Sequence, residues 1–278
     1  MGTLTATQAK PAARRAALVS KRLPLIIFVT LVFLFLTLPL LVVVPVSFSS
    51  ASFITFPPPG YSLRWYEAYL NDYAWMAATI RSLKVGVVTT VLALAFGVPL
   101  SFALVRGRFP GRALLEQGIA APLIVPNIVF SIAVFGFYYK LGLVGPWLGV
   151  AVAHTILALP FVVIVTTAGL RAFDRNLELA AMGLGASRLG AVMRVTLPDI
   201  SPSLISAAFL AFITSFDELV VAMFLAGADA TLPKKMFESI MTAIDPTVAA
   251  VSVLQILLVS VLMIAVTLLG GRVGGGRA

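Results

Sequence analysis

Six stretches of this chain, 23–48, 85–105, 117–139, 141–170, 200–228 and 247–270, run for more than twenty residues with almost no charge. That limits its folds more than any other feature. A helix rises 1.5 Å per residue, so roughly 20 apolar residues cross the ~30 Å hydrocarbon layer of a bilayer. Buried helices of soluble proteins rarely run so long. The expected fold class is all-α integral membrane, with six transmembrane helices.

Composition agrees. Apolar residues make up 60% of the chain and charged residues 11%, against roughly 25% charged in an ordinary soluble domain. The net charge of +9 does not point to nucleic acid, because the basic residues form short clusters between apolar runs instead of one patch. There is no cysteine, which excludes disulfides, thiolate nucleophiles and Cys-ligated metals.

The basic clusters give a topology. Lys10, Arg14, Arg15, Lys21 and Arg22 precede the first run, whose apolar core exceeds the about 7–15 residues of a signal sequence, so it is expected to be a retained anchor. With that flank in the cytoplasm, alternate segments place fourteen Lys and Arg inside and six outside, as the positive-inside rule requires. The expected organisation is a cytoplasmic tail 1–22, a transmembrane domain 23–271 with a cytoplasmic loop 172–197, and a cytoplasmic tail 272–278, with both termini inside. Outside the membrane, Leu63, Tyr66 and Leu70 recur at helical spacing, and Trp65, Tyr66, Tyr69, Tyr73 and Trp75 suit an aromatic belt at the outer interface. Pro39, Pro45, Pro99, Pro122, Pro126 and Pro160 lie inside spans, where proline kinks helices.

The segment 177–200, LELAAMGLGASRLGAVMRVTLPDI, is a polar, Arg-bearing interruption between apolar runs. Asp174 or Asn176 can cap a helix over 177–184, with the small Ala180 and Ala181 on its surface. Gly185 permits a turn, 186–194 forms a second helical piece, and Pro198 opens the fifth span. Two readings follow from the residues. The loop docks in a partner's groove, or it lies on anionic lipid through Arg188 and Arg194.

The fifth run holds Asp217 and Glu218. Each ionised carboxylate near a helix centre costs on the order of 2.5–3.5 kcal/mol on insertion scales, so the pair points to a polar cavity. Adjacent residues on a helix lie about 100° apart, so only one of them faces such a cavity squarely. Glu218, on the face of Thr214 and Ser215, is expected to line the pathway, with Asp217 bonding a neighbouring helix or a partner subunit. The alternative is a structural acidic pair at a subunit interface. His154, the only histidine, is expected to make a helix-to-helix hydrogen bond in preference to a proton relay. No catalytic constellation, no metal site and no G-x-x-x-x-G-K-[ST] phosphate loop is present in the sequence.

The loop resembles the signature of permease subunits of ATP-binding-cassette (ABC) importers, whose consensus is Glu-Ala-Ala, three residues, Gly, nine residues, Ile, one residue, Leu-Pro. Ala180, Ala181, Gly185, Leu197 and Pro198 match it, and Val195 replaces the Ile. Leu179 holds the Glu position, with Glu178 one residue early. More narrowly, Ser215-Phe216-Asp217-Glu218, Thr231-Leu232-Pro233 and Asp245-Pro246 resemble the spermidine/putrescine-type permeases. That resemblance implies a type I importer fold with a cytoplasmic coupling helix, in a bacterial inner membrane. It also implies a second permease as heterodimer partner, two cytoplasmic ATPase subunits that bind ATP and Mg²⁺, and an external solute-binding protein. This chain itself would bind no cofactor, and lipid would surround it. The resemblance assigns ATPase docking to Glu178, Leu179, Ala180, Ala181, Gly185, Ala186, Ser187, Leu197 and Pro198. Translocation falls to Thr214, Ser215, Asp217 and Glu218. Other expected cargoes are an opine, a quaternary amine or ferric iron, and an ion-coupled secondary transporter is the reading from a different class.

Overall fold

The computed structural model describes residues 10–242 and 245–274, so parts of both expected tails, 1–9 and 275–278, lie outside the described residues. Among the described residues there is no strand, only an isolated bridge between Ser49 and Tyr61. Four helices are individually long and apolar enough to cross a membrane, and six spans result if each of two sharply bent helix pairs counts as one.

Helix α1 (Lys10–Ser47) leads into a turn closed by the Ser49–Tyr61 bridge and the short α2 (Arg64–Asn71). Its apolar part, Leu23–Ser47, is mostly exposed, with Val46 and Ser47 buried at its end, and lies beside the last helix. Helix α3 (Tyr73–Arg106) is 34 residues long and starts twelve residues before the apolar run. The reason is a cap: the Asp72 carboxylate accepts from the amides of Ala74 (2.7 Å) and Trp75 (3.1 Å).

The third expected span is two helices, α4 (Arg112–Ile124) and α5 (Asn127–Leu141), set 105° apart. Pro126 causes the break. A residue before proline is driven out of the helical region, and Val125 is extended at φ −73°, ψ 129°. Pro122, by contrast, stays inside α4. Helix α6 (Trp147–Ala172) then crosses unbroken through Pro160.

The loop ahead of the fifth span folds as α7 (Arg175–Gly183), α8 (Arg188–Ala191), a π-helical turn (Val192–Thr196) and α9 (Leu197–Asp199). The chain bends 73° before α10 (Ser201–Phe216). Pro198 therefore belongs to the elbow and does not open the fifth span. Pro202 stands at the start of α10, where its missing N–H costs nothing. The fifth span is broken again at 217–219 before α11 (Val220–Leu225). Helices α12 (Leu232–Thr242) and α13 (Thr247–Gly274) complete the chain.

Helices α3, α6 and α10 pack on one another at the centre. Ala93, Ala158, Ala207 and Ala211 are fully buried between them with Val162. Small residues let helices in lipid approach closely, where van der Waals contact replaces the hydrophobic drive. At Gly97 the approach is such that any Cβ would run into the Val162 side chain.

The aromatics expected in an outer belt are mostly packed inside the chain. Trp65, Tyr69 and Trp75 are buried, because α2 folds back so that Tyr69 and Trp75 pack edge to face and join Phe216, Leu232 and Val251. Tyr66 is half-buried, its hydroxyl 2.7 Å from that of Ser47. Only Tyr73 among these five is exposed.

Candidate functional site: a cavity at two broken spans and a polar loop

The breaks in spans three and five meet at one cavity of ≈ 430 Å³. Pro122, Leu123 and Asn127 line it from the break between α4 and α5. Leu157 and Phe161 come from α6, and Ile213, Thr214 and 217–220 come from the break after α10. Non-helical backbone at membrane depth is tolerated where it lines such a cavity, and substrate sites of transporters sit at discontinuous helices for that reason.

The break overturns the 100° argument. Asp217 and Glu218 both line the cavity, because the backbone between them is not helical. Their environments are the reverse of the expected ones. Glu218 is 7% exposed and turns its carboxylate onto the start of α11, accepting from the amides of Val220 (3.1 Å), Val221 (2.8 Å) and Ala222 (3.3 Å). Those N–H groups lack helical partners, so one carboxylate satisfies the donors and gains from the helix dipole. Asp217 is exposed, its carboxylate has no hydrogen-bond partner among the described residues, and it also borders a second cavity of ≈ 310 Å³ toward Gln255 and Ser260 of α13.

Thr214 lines the main cavity, as expected, but Ser215 does not. Ser215 is buried, its hydroxyl 2.9 Å from His154 Nδ1 and donating to Thr89 Oγ1 at 3.2 Å. Thr89 in turn donates to the Ala151 carbonyl at 3.1 Å. His154 thus makes the expected helix-to-helix hydrogen bond. Its Nε2 lies 3.5 Å from Glu218 Oε2, outside hydrogen-bonding geometry. The sequence gives no sign of this meeting, since His154 and Ser215 are 61 residues apart on different spans.

In the loop that carries α7, Asp174 is the cap: its carboxylate accepts from the Asn176 amide at 2.9 Å. Helix α7 ends in a double turn, with Gly185 N–H bonded to Met182 O (3.0 Å) and Ala186 N–H to Ala181 O (3.1 Å). That closure needs a left-handed residue after the helix, and Gly185 has φ +95°. Ser187 then caps α8 through the Gly190 amide. Leu179, Ala180, Gly185, Ser187 and Pro198 are exposed, and Ala181 and Ala186 half-buried. Leu197 instead packs into an apolar cluster with Leu170, Phe173 and Ile200. Glu178 is turned inward and buried, bonded to Arg106 and Thr196.

Residues 93–275 match the family of binding-protein-dependent transport system inner membrane components. The chain belongs to that family. This permease is 35% identical over 237 residues to the putrescine transport system permease protein PotI of Escherichia coli K12, covering 82% of this chain and 84% of PotI. It is 29% identical over 241 residues to the spermidine/putrescine transport system permease protein PotC of the same strain, covering 86% and 90%. Among solved structures, a bacterial ABC transporter that imports the acidic polysaccharide alginate has a chain of the same fold. Its TM-score is 0.67 at 20% identity, over 95% of this permease and 99% of that chain. The expected type I permease fold is therefore present, with two of its six spans broken.

Proposed function

We propose that this permease is one half of the translocation pathway of an ATP-driven importer for a polyamine, putrescine or spermidine. The reading is supported by its likeness to PotI and PotC over most of its length. The observation that carries it is Asp217: an exposed carboxylate, without a partner among the described residues, where two broken spans meet. A carboxylate at that position lowers the electrostatic barrier to an ammonium group crossing hydrocarbon. The cavity is open because the chain is half of a heterodimer, and a second permease closes it. An external binding protein delivers the solute.

The cytoplasmic loop is the ATPase dock. Leu177, Leu179, Leu184 and Leu189 are all exposed, Leu184 at 91%. An apolar patch of this kind beside water marks a protein contact. Leu179 replaces the family's usual Glu, so the loop seats by apolar contact at that point. ATP and Mg²⁺ bind the two ATPase subunits, and both termini of the permease lie in the cytoplasm of the bacterial cell.

The test is uptake. The permease, purified with the ATPase, second permease and binding protein that co-purify with it, is reconstituted in liposomes with ATP inside and labelled putrescine or spermidine outside with the binding protein. ATP-dependent accumulation supports the reading, and accumulation of neither amine overturns it.

A further inference from the structure

The Glu178 carboxylate forms a two-pronged ion pair with Arg106: Nη1 to Oε1 at 2.8 Å and Nη2 to Oε2 at 2.6 Å. The Thr196 hydroxyl donates to the same Oε2 at 2.7 Å. Glu178 and Thr196 are buried, Thr196 completely, and the Arg106 side chain is 19% exposed. The guanidinium also lies 4.7 Å over the Phe102 ring. Paired, parallel hydrogen bonds of this kind fix orientation as well as distance. Arg106 ends α3 and Glu178 stands in the first turn of α7, so each charge also complements the dipole of its own helix.

Three segments are thereby clamped at one carboxylate: the end of span two, the first helix of the loop, and the π-helical turn into span five. At its other end α3 is tied again. Arg81 pairs with Asp229 at 2.8 Å and donates to the Ala230 carbonyl at 3.0 Å, while Ser82 accepts from the Leu232 amide at 2.7 Å. From Arg81 to Arg106 the helix is unbroken, a rod of about 37 Å at 1.5 Å per residue.

We propose that Glu178 is a transmission residue and not an ATPase contact: with Arg106 it locks the docking loop to α3, which carries movement of the loop to the outer segment ahead of α12. The proposal rests on the docking reading of the loop. The carboxylate is buried and committed to an internal fork, and Leu179 is the residue presented outward in its place. Arg106 and Glu178 act through the helices they join, so they are positioning residues.

The experiment uses the whole importer, co-expressed with its ATPase and second permease. Glu178→Ala is expected to retain the ATPase on purification and to retain ATP hydrolysis. Solute imported per ATP should fall by at least about tenfold, as removing one partner of a buried charge pair leaves the other uncompensated. The exchange of Arg106→Glu with Glu178→Arg should restore much of that ratio, which a merely structural role of either residue would not produce. If Glu178→Ala does not insert, Glu178→Gln carries the same comparison, because it keeps the side-chain shape while removing the charge. Loss of ATPase from the complex in either single variant, or an unchanged ratio of import to hydrolysis, overturns the proposal. ATPase retention that is also insensitive to Gly185→Asp overturns the docking reading itself, and the proposal falls with it.

Discussion

Asp217 and Glu218 are neighbours in the chain with opposite surroundings: Glu218 is buried with its carboxylate on three amides of α11, and Asp217 opens into the cavity without a partner among the described residues. The break in span five divides the work between them. Glu218 stabilises the break by capping the next helix. Asp217 leaves its carboxylate unbonded in the space beyond.

Replacing Asp217 by Asn should therefore reduce ATP-dependent uptake of putrescine by about tenfold or more, since a fixed charge in a low-dielectric cleft changes capture of a cation by one to three decades. Assembly and detergent stability should stay close to those of the parent, because no bond inside the chain is lost. Uptake in liposomes and size-exclusion profiles measure the two. A variant that transports normally would remove Asp217 from the pathway.

His154→Ala should act differently. It leaves Ser215 buried with one fewer partner and empties a fully buried site between α6 and α10. A buried polar group stripped of its partner costs roughly 1–3 kcal/mol, and the lost packing adds to it. A thermal unfolding curve of the purified complex should shift downward, while Ser215→Ala in the His154→Ala background should cost much less than it does alone. Independent, additive shifts would show that the two do not form one network.

The contrast between these residues shows what the sequence carried. The spans, the loop and its Gly185 turn were legible because each rests on local patterning: apolar length, capping residues, a glycine after a short helix. The division of labour at 217–218 was not, because it depends on a break in the helix that no proline marks. The Glu218–His154 and Glu178–Arg106 meetings were hidden for a different reason. They join residues on separate helices, 72 positions apart in the second case, and no periodicity links them. Arg106 served the sequence reading only as a topological charge. Pro126 did announce its break, yet prolines that bend and those that are absorbed, such as Pro160, look alike in one dimension.

Leu179 gives a prediction about the loop. Its side chain is 49% exposed on α7, and burying a leucine against a partner stabilises by about 1.5–3 kcal/mol when complete. Leu179→Ala should weaken ATPase association by up to about tenfold, half-burial being already present in the free chain. Binding of the purified ATPase to the permease in nanodiscs measures this. Gly185→Ala should weaken it further, because φ +95° is hostile to any Cβ, even though open space surrounds the position.

Topology yields the last prediction, because a bent helix pair is either a broken span or a loop that re-enters on the side it left. If both pairs re-entered, the loop carrying Arg171, Arg175, Arg188 and Arg194 would face outward, and the Lys and Arg would divide eleven inside to nine outside, erasing the bias. With both pairs crossing, the division is fourteen to six, and such an asymmetry is what orients membrane proteins. The chain has no cysteine, so single substitutions report position without background. Lys140→Cys should react with a membrane-impermeant maleimide added to intact spheroplasts, and Ser187→Cys should react only after lysis. Labelling of Ser187→Cys from outside would place the loop on the wrong face for any ATPase and would end the coupling account as a whole.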